Sequence, residues 1–73
     1  MDRMQIYVAL LDEGVDVWRP VEAEHLHRDV YLIVSQPYDR ETEAWQFEPG
    51  DRVRTQLIDS SDGQILAAIS KES

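Results

Sequence analysis

Apolar residues recur at every second position in short runs, and this period constrains the fold more than any other feature of the chain. Ile6, Val8 and Leu10 carry the first run. In the second, Val15, Val17, Val21 and Ala23 alternate with Asp16, Trp18, Glu22 and Glu24. Val30, Leu32 and Val34 make the third run, and Trp45 with Phe47 the fourth. The fifth holds Val53, Thr55 and Leu57, and the last Ile65, Ala67 and Ile69. A period of two puts alternate side chains on one face of a strand, whereas a helix repeats every 3.6 residues. No segment carries three turns of apolar residues at helical spacing behind a plausible cap.

Turn chemistry punctuates the runs. Asp12-Glu13-Gly14 reads as a tight turn with glycine in the left-handed position. Glu48-Pro49-Gly50-Asp51 carries the type II signature, proline presetting φ at the second position and glycine accepting positive φ at the third. Ser60-Ser61-Asp62-Gly63 reads as a hairpin loop. In a chain of 73 residues, short strands joined by such turns leave too little material for an ordinary sandwich. A strongly bent barrel covers its own core and hides its edges. The expectation is one domain over residues 1–73, all-β: a small six-stranded (five to seven) SH3-like barrel or strongly bent antiparallel sheet. Pro20 belongs on an edge or at a bulge, because a central strand loses a ladder donor there.

Composition narrows the chemistry. There is no cysteine, hence no disulfide, thiolate metal site or cysteine nucleophile. So short a chain must then be held by packing, by a partner, or by both. Fifteen acids against seven bases leave a net charge of −8. Residues 1–36 hold seven acids and three bases, and residues 37–73 eight and four, so each half carries −4. One lysine and six scattered arginines form no basic patch for a phosphate backbone, and direct nucleic-acid binding is not expected. The residues from Met1 onward show no basic leader and no apolar run long enough to span a bilayer. A cytoplasmic protein without membrane contact is the expectation.

Two elements resemble a set of small stand-alone bacterial proteins of unassigned function. Leu11-Asp12-Glu13-Gly14-Val15-Asp16-Val17 leads into Trp18-Arg19-Pro20-Val21, and Phe47-Glu48-Pro49-Gly50-Asp51 follows later. The likeness extends from residue 4 to about residue 69. It implies a bacterial origin and a small β-barrel, and it brings no activity or catalytic residue with it.

Candidate sites are few. Trp18, Arg19 and Pro20 are the least ordinary residues, and alternation turns Trp18 away from Val17 and Val21, toward solvent. Tryptophan and arginine dominate binding hot spots; the structural alternative has Trp18 closing a barrel end and Arg19 pairing with a carboxylate. Tyr38 and Trp45 bracket the longest candidate loop, whose middle is acidic. They frame either a recognition surface for basic peptides or a cross-strand pair at the loop's base. Two carboxylate groupings form a candidate acidic surface, Asp12, Glu13 and Asp16, and Asp39, Glu41 and Glu43. His25 and His27, two apart, share a strand face, yet a zinc site needs further ligands that nothing in the sequence supplies. No metal or cofactor is expected. Serines lack a nucleophile-elbow context, and no phosphate-binding loop is present. The expected role is therefore a non-catalytic protein-interaction module, pairing with another protein or with a second copy of itself. The alternative is an acidic inhibitor or nucleic-acid-mimic decoy that binds a basic partner.

Overall fold

The computed structural model describes residues 3–11, 17–61 and 63–72. They form five strands and no helix: β1 (Arg3–Ala9), β2 (Trp18–His27), β3 (Val30–Ile33), β4 (Arg52–Ser60) and β5 (Gly63–Lys71). Each strand pairs antiparallel with the next, and β1 meets β5 in parallel at Tyr7 and Ala67, closing the barrel. The parallel seam follows from the odd strand count. Directions alternate along a meander, so its first and fifth strands run the same way.

The all-β expectation holds, as does a barrel consistent with the small SH3-like kind. The strand count is five rather than six. The run that contains Trp45 and Phe47 makes only an isolated bridge, Leu10 opposite Trp45. Leu11 N donates to Ala44 O at 2.7 Å and Gln46 N to Ala9 O at 2.9 Å. The run then turns away at Glu48-Pro49-Gly50-Asp51, where Asp51 N donates to Glu48 O at 3.0 Å and Gly50 has φ 96°, as the type II signature requires.

The core gathers Ile6 and Val8, Val21 and Ala23, Tyr31 and Ile33, Val53, Ala68, and the loop residues Trp45 and Phe47. Two bulges move side chains from the faces that strict alternation assigns. Opposite β3, His25 pairs with Tyr31 but His27 with Val30, so Leu26 is an extra residue on β2. Tyr31 and Ile33, rather than Val30 and Leu32, therefore enter the main cluster. Opposite β4, Ala68 pairs with Thr55 and Ser70 with Arg54, so Ile69 is extra. Ala68 turns inward, and Ile69 is left 45% exposed. A bulge reverses facing from that point on because the side-chain period is two.

Among the described residues, Pro20 lies on an open edge of β2. β3 pairs with β2 only from Ala23 onward. Beyond that, the Gln36 amide stands in for a strand: Glu22 N donates to Gln36 Oε1 at 3.1 Å, and Gln36 Nε2 donates to Glu22 O at 2.9 Å. Glu22 thus turns its backbone groups away from β1, and alternation turns those of Pro20 the same way. The missing N–H of Pro20 faces the open side and removes no bond from the β1 ladder. The expected Asp12–Gly14 turn lies outside the described residues, as does Asp62 of the β4–β5 hairpin, where Ser60 pairs with Gly63 (φ 107°).

The β2–β3 turn carries no glycine signature. Arg28 takes the left-handed conformation at φ 50°, and its carbonyl lies 2.7 Å from His25 Nε2. For a residue with a Cβ this conformation costs about 1–2 kcal/mol, against about 0.5–1 kcal/mol for the extra chain entropy of glycine. Arg28→Gly is expected to stabilise the domain by about 0.5–1 kcal/mol, raising Tm by about 2–8 °C. A thermal melt followed by circular dichroism reads this directly, and a fall in Tm would contradict it.

Candidate functional site

The segment 34–51 between β3 and β4 folds back on itself through Asp39. Glu41 N donates to Asp39 Oδ1 at 2.9 Å, while Thr42 N and Glu43 N donate to Asp39 O at 3.2 and 3.0 Å. This side-chain-to-backbone turn is what Asp favours, because its short carboxylate reaches the amide two residues on. It returns the chain so that Tyr38 and Trp45 stack, with ring centroids 4.3 Å apart and planes at 22°. Trp45 N donates to Tyr38 Oη at 3.0 Å. Trp45 is only 4% exposed and belongs to the core, so it anchors the half-buried Tyr38 ring to the barrel.

Charged groups frame the stack. Trp45 Nε1 donates to Glu43 Oε1 at 2.9 Å, and Arg19 Nε lies 3.3 Å from the same oxygen. The Arg19 guanidinium is 6.0 Å from the Trp45 ring centre. Arg40 lies 5.6 Å from the Tyr38 ring centre and pairs with Glu48 at 3.3 Å. Between Arg19 of β2 and the returning loop opens a solvent-facing cleft of about 620 Å³, lined by Arg19, Pro37, Tyr38, Asp39, Thr42 and Glu43. Two carboxylates against one guanidinium leave its lining net negative. A partly exposed pair such as Arg19–Glu43 contributes only about 0.2–1 kcal/mol.

Of the residues singled out from sequence, Arg19, Tyr38 and Trp45 come together here with Asp39 and Glu43. Trp45 takes part from beneath, as a core residue. Trp18 shares the outward side of β2 with Pro20 and Glu22, as alternation predicts, but it is half-buried rather than free. Pro20 is exposed, and neither residue lines the cleft. Glu41 is exposed. Asp12, Glu13 and Asp16 lie outside the described residues. His25 and His27 take separate partners: His25 stacks on Tyr31 with ring centroids 4.7 Å apart, and His27 Nε2 lies 3.4 Å from Glu72. Among the described residues no cluster of three or more His, Asp or Glu side chains is placed to hold a metal ion.

Sequence reasoning placed Pro37 and Thr42 in the candidate loop 37–45 without giving either a role, and it missed Gln36 and the double use of Glu43 by Arg19 and Trp45. The spacing Asp39-x-x-Thr42-Glu43-x-Trp45 carried the signal, since an Asp-led turn followed by an acid two residues before tryptophan permits this closure. No protein-family model, curated protein or solved structure matches the chain.

Proposed function

We propose that the protein is a non-catalytic interaction module whose cleft receives an extended, basic segment of another protein. The observation that carries this reading is the pre-formed wall of the cleft. Tyr38 is fixed by its stack on Trp45 and its hydrogen bond from Trp45 N, and Asp39 and Glu43 line the same opening. A rigid aromatic wall costs little ordering entropy on binding. Carboxylates beside it favour lysine or arginine, and the net charge of −8 steers cationic segments toward the surface. The decoy reading draws less support, because it gives no role to the aromatic wall that Tyr38 and Trp45 build.

Calorimetric titration with an arginine- and lysine-rich peptide, and with an acidic peptide of equal length, tests this. Binding of the basic peptide alone is expected, weakening about tenfold or more as ionic strength rises from roughly 0.05 to 0.5 M. Thr42→Arg places a cation in the cleft and should abolish binding while moving Tm by no more than a few degrees. Equal binding of both peptides, or indifference to Thr42→Arg, would overturn the reading.

A further inference from the structure

The Tyr38–Trp45 stack ends in an arginine on each side. The Arg19 guanidinium lies 6.0 Å from the Trp45 ring centre, and that of Arg40 lies 5.6 Å from the Tyr38 ring centre. Trp45 covers one face of Tyr38 at a centroid distance of 4.3 Å, so Arg40 lies over the other. Arg40 also meets one carboxylate at two points: Nε lies 3.3 Å from Glu48 Oε2, and Nη2 donates to Glu48 Oε1 at 3.4 Å. A ring face beside a carboxylate that is met by a planar fork is a guanidinium site; an ammonium has no plane to stack and no fork to match. The chain's own side chain fills this site loosely. Arg40 is 73% exposed against 44% for Arg19, its two polar contacts are long for a charged pair, and exposed pairs of this kind hold weakly.

We infer that Arg40 stands in for an arginine of the bound segment, and that the cleft selects segments bearing arginine over segments bearing lysine. The inference rests on the interaction-module reading and adds to it the side chain by which the ligand is chosen. Tyr38 lines the cleft, so a segment lying there brings a long side chain to the ring face that Arg40 covers. The incoming guanidinium stacks on Tyr38 and takes both Glu48 oxygens, while Arg40 swings into the water that already surrounds most of it. Charge permits the exchange. Residues 39–48 hold Asp39, Glu41, Glu43 and Glu48 against Arg40 alone, so a second cation is drawn in rather than repelled. The ring needs no ordering, because Trp45 N donates to Tyr38 Oη and fixes it from the core side. Lysine, a point charge, gains the attraction but neither the stack nor the second contact.

Calorimetric titration with an arginine-rich extended peptide, and with the same peptide carrying lysine at every arginine, tests this. The wild type should bind the arginine form about two- to fivefold more tightly, the share of a stacked guanidinium at an exposed site. Arg40→Gln empties the ring face and should tighten the arginine form by about two- to fivefold again. Removing a positive charge favours any cationic peptide, so Arg54→Gln is the control. Arg54 is exposed and pairs with Val30 at the start of β3, whereas the cleft loop leaves the end of that strand. Arg54→Gln should shift both peptides equally, and Arg40→Gln should shift the lysine form no more than Arg54→Gln does. In the wild type, the Arg40 Nε–H resonance should move with the arginine form as Glu48 changes partners. No preference for arginine, or no gain of Arg40→Gln over Arg54→Gln, would overturn the inference and leave the cleft reading standing. Binding of neither peptide would overturn both.

Discussion

Trp45→Ala is expected to cost about 3–5 kcal/mol, the range for deleting a large buried aromatic side chain. A domain of 73 residues has about 4–11 kcal/mol of stability in all, so this variant should lose a large share of its stability and melt well below the wild type. The loss exceeds that of an ordinary core truncation because three roles end together. The ring fills the core beside Phe47, carries the Tyr38 stack, and donates from Nε1 to Glu43. Trp45→Phe keeps the packing and the stack but loses the donor, and should cost about 1–2 kcal/mol. Urea denaturation of the three proteins, followed by circular dichroism, gives the comparison. Equal stability of Trp45→Ala and Trp45→Phe would show that the ring does not anchor the loop.

Ile33→Ala should cost about 2–5 kcal/mol. Ile33 is fully buried and stands where β3 hands over to the loop. Its N–H donates to Asp51 O at 3.0 Å, and its C=O accepts from Gly50 N at 2.7 Å. Those backbone bonds hold the site rigid, so a truncated side chain leaves a gap that the surroundings cannot close. Leu57→Ala, by contrast, removes a side chain that is 60% exposed and should stay within about 0.5 kcal/mol. Chemical denaturation measures both. A difference below about 1 kcal/mol between them would contradict the core assignment.

The local signals were legible in the sequence, and the longer-range ones were not. Ile6 with Val8 and Val21 with Ala23 face inward as alternation predicts, because β1 and β2 pair without a bulge along that stretch. Pro49-Gly50 marks its turn since only glycine accepts that φ cheaply. The bulges at Leu26 and Ile69 left no trace, because one extra residue in a strand changes pairing rather than composition. They are why Tyr31 and Ala68, not Leu32 and Ile69, reach the core. Trp45 and Phe47 alternate like strand residues, yet their neighbour across the chain is the short end of β1, which offers one bridge. Part of the site was legible for a chemical reason: arginine and aromatic side chains dominate binding hot spots, and Arg19 and Tyr38 meet here over the core residue Trp45. Thr42, Pro37 and Gln36 are ordinary, and only the Asp39 turn and the open β2 edge give them a place.

The central claim is that a basic extended segment lies between β2 and the returning 37–43 loop. It is tested most directly by nuclear magnetic resonance of the labelled protein during titration with the basic peptide at low salt. The account predicts progressive shifts confined to Arg19, Tyr38, Asp39, Thr42 and Glu43 and their neighbours, with the Trp45 indole N–H signal moving as Glu43 changes partners. Shifts absent from these residues, or spread evenly over the acidic surface, would contradict it.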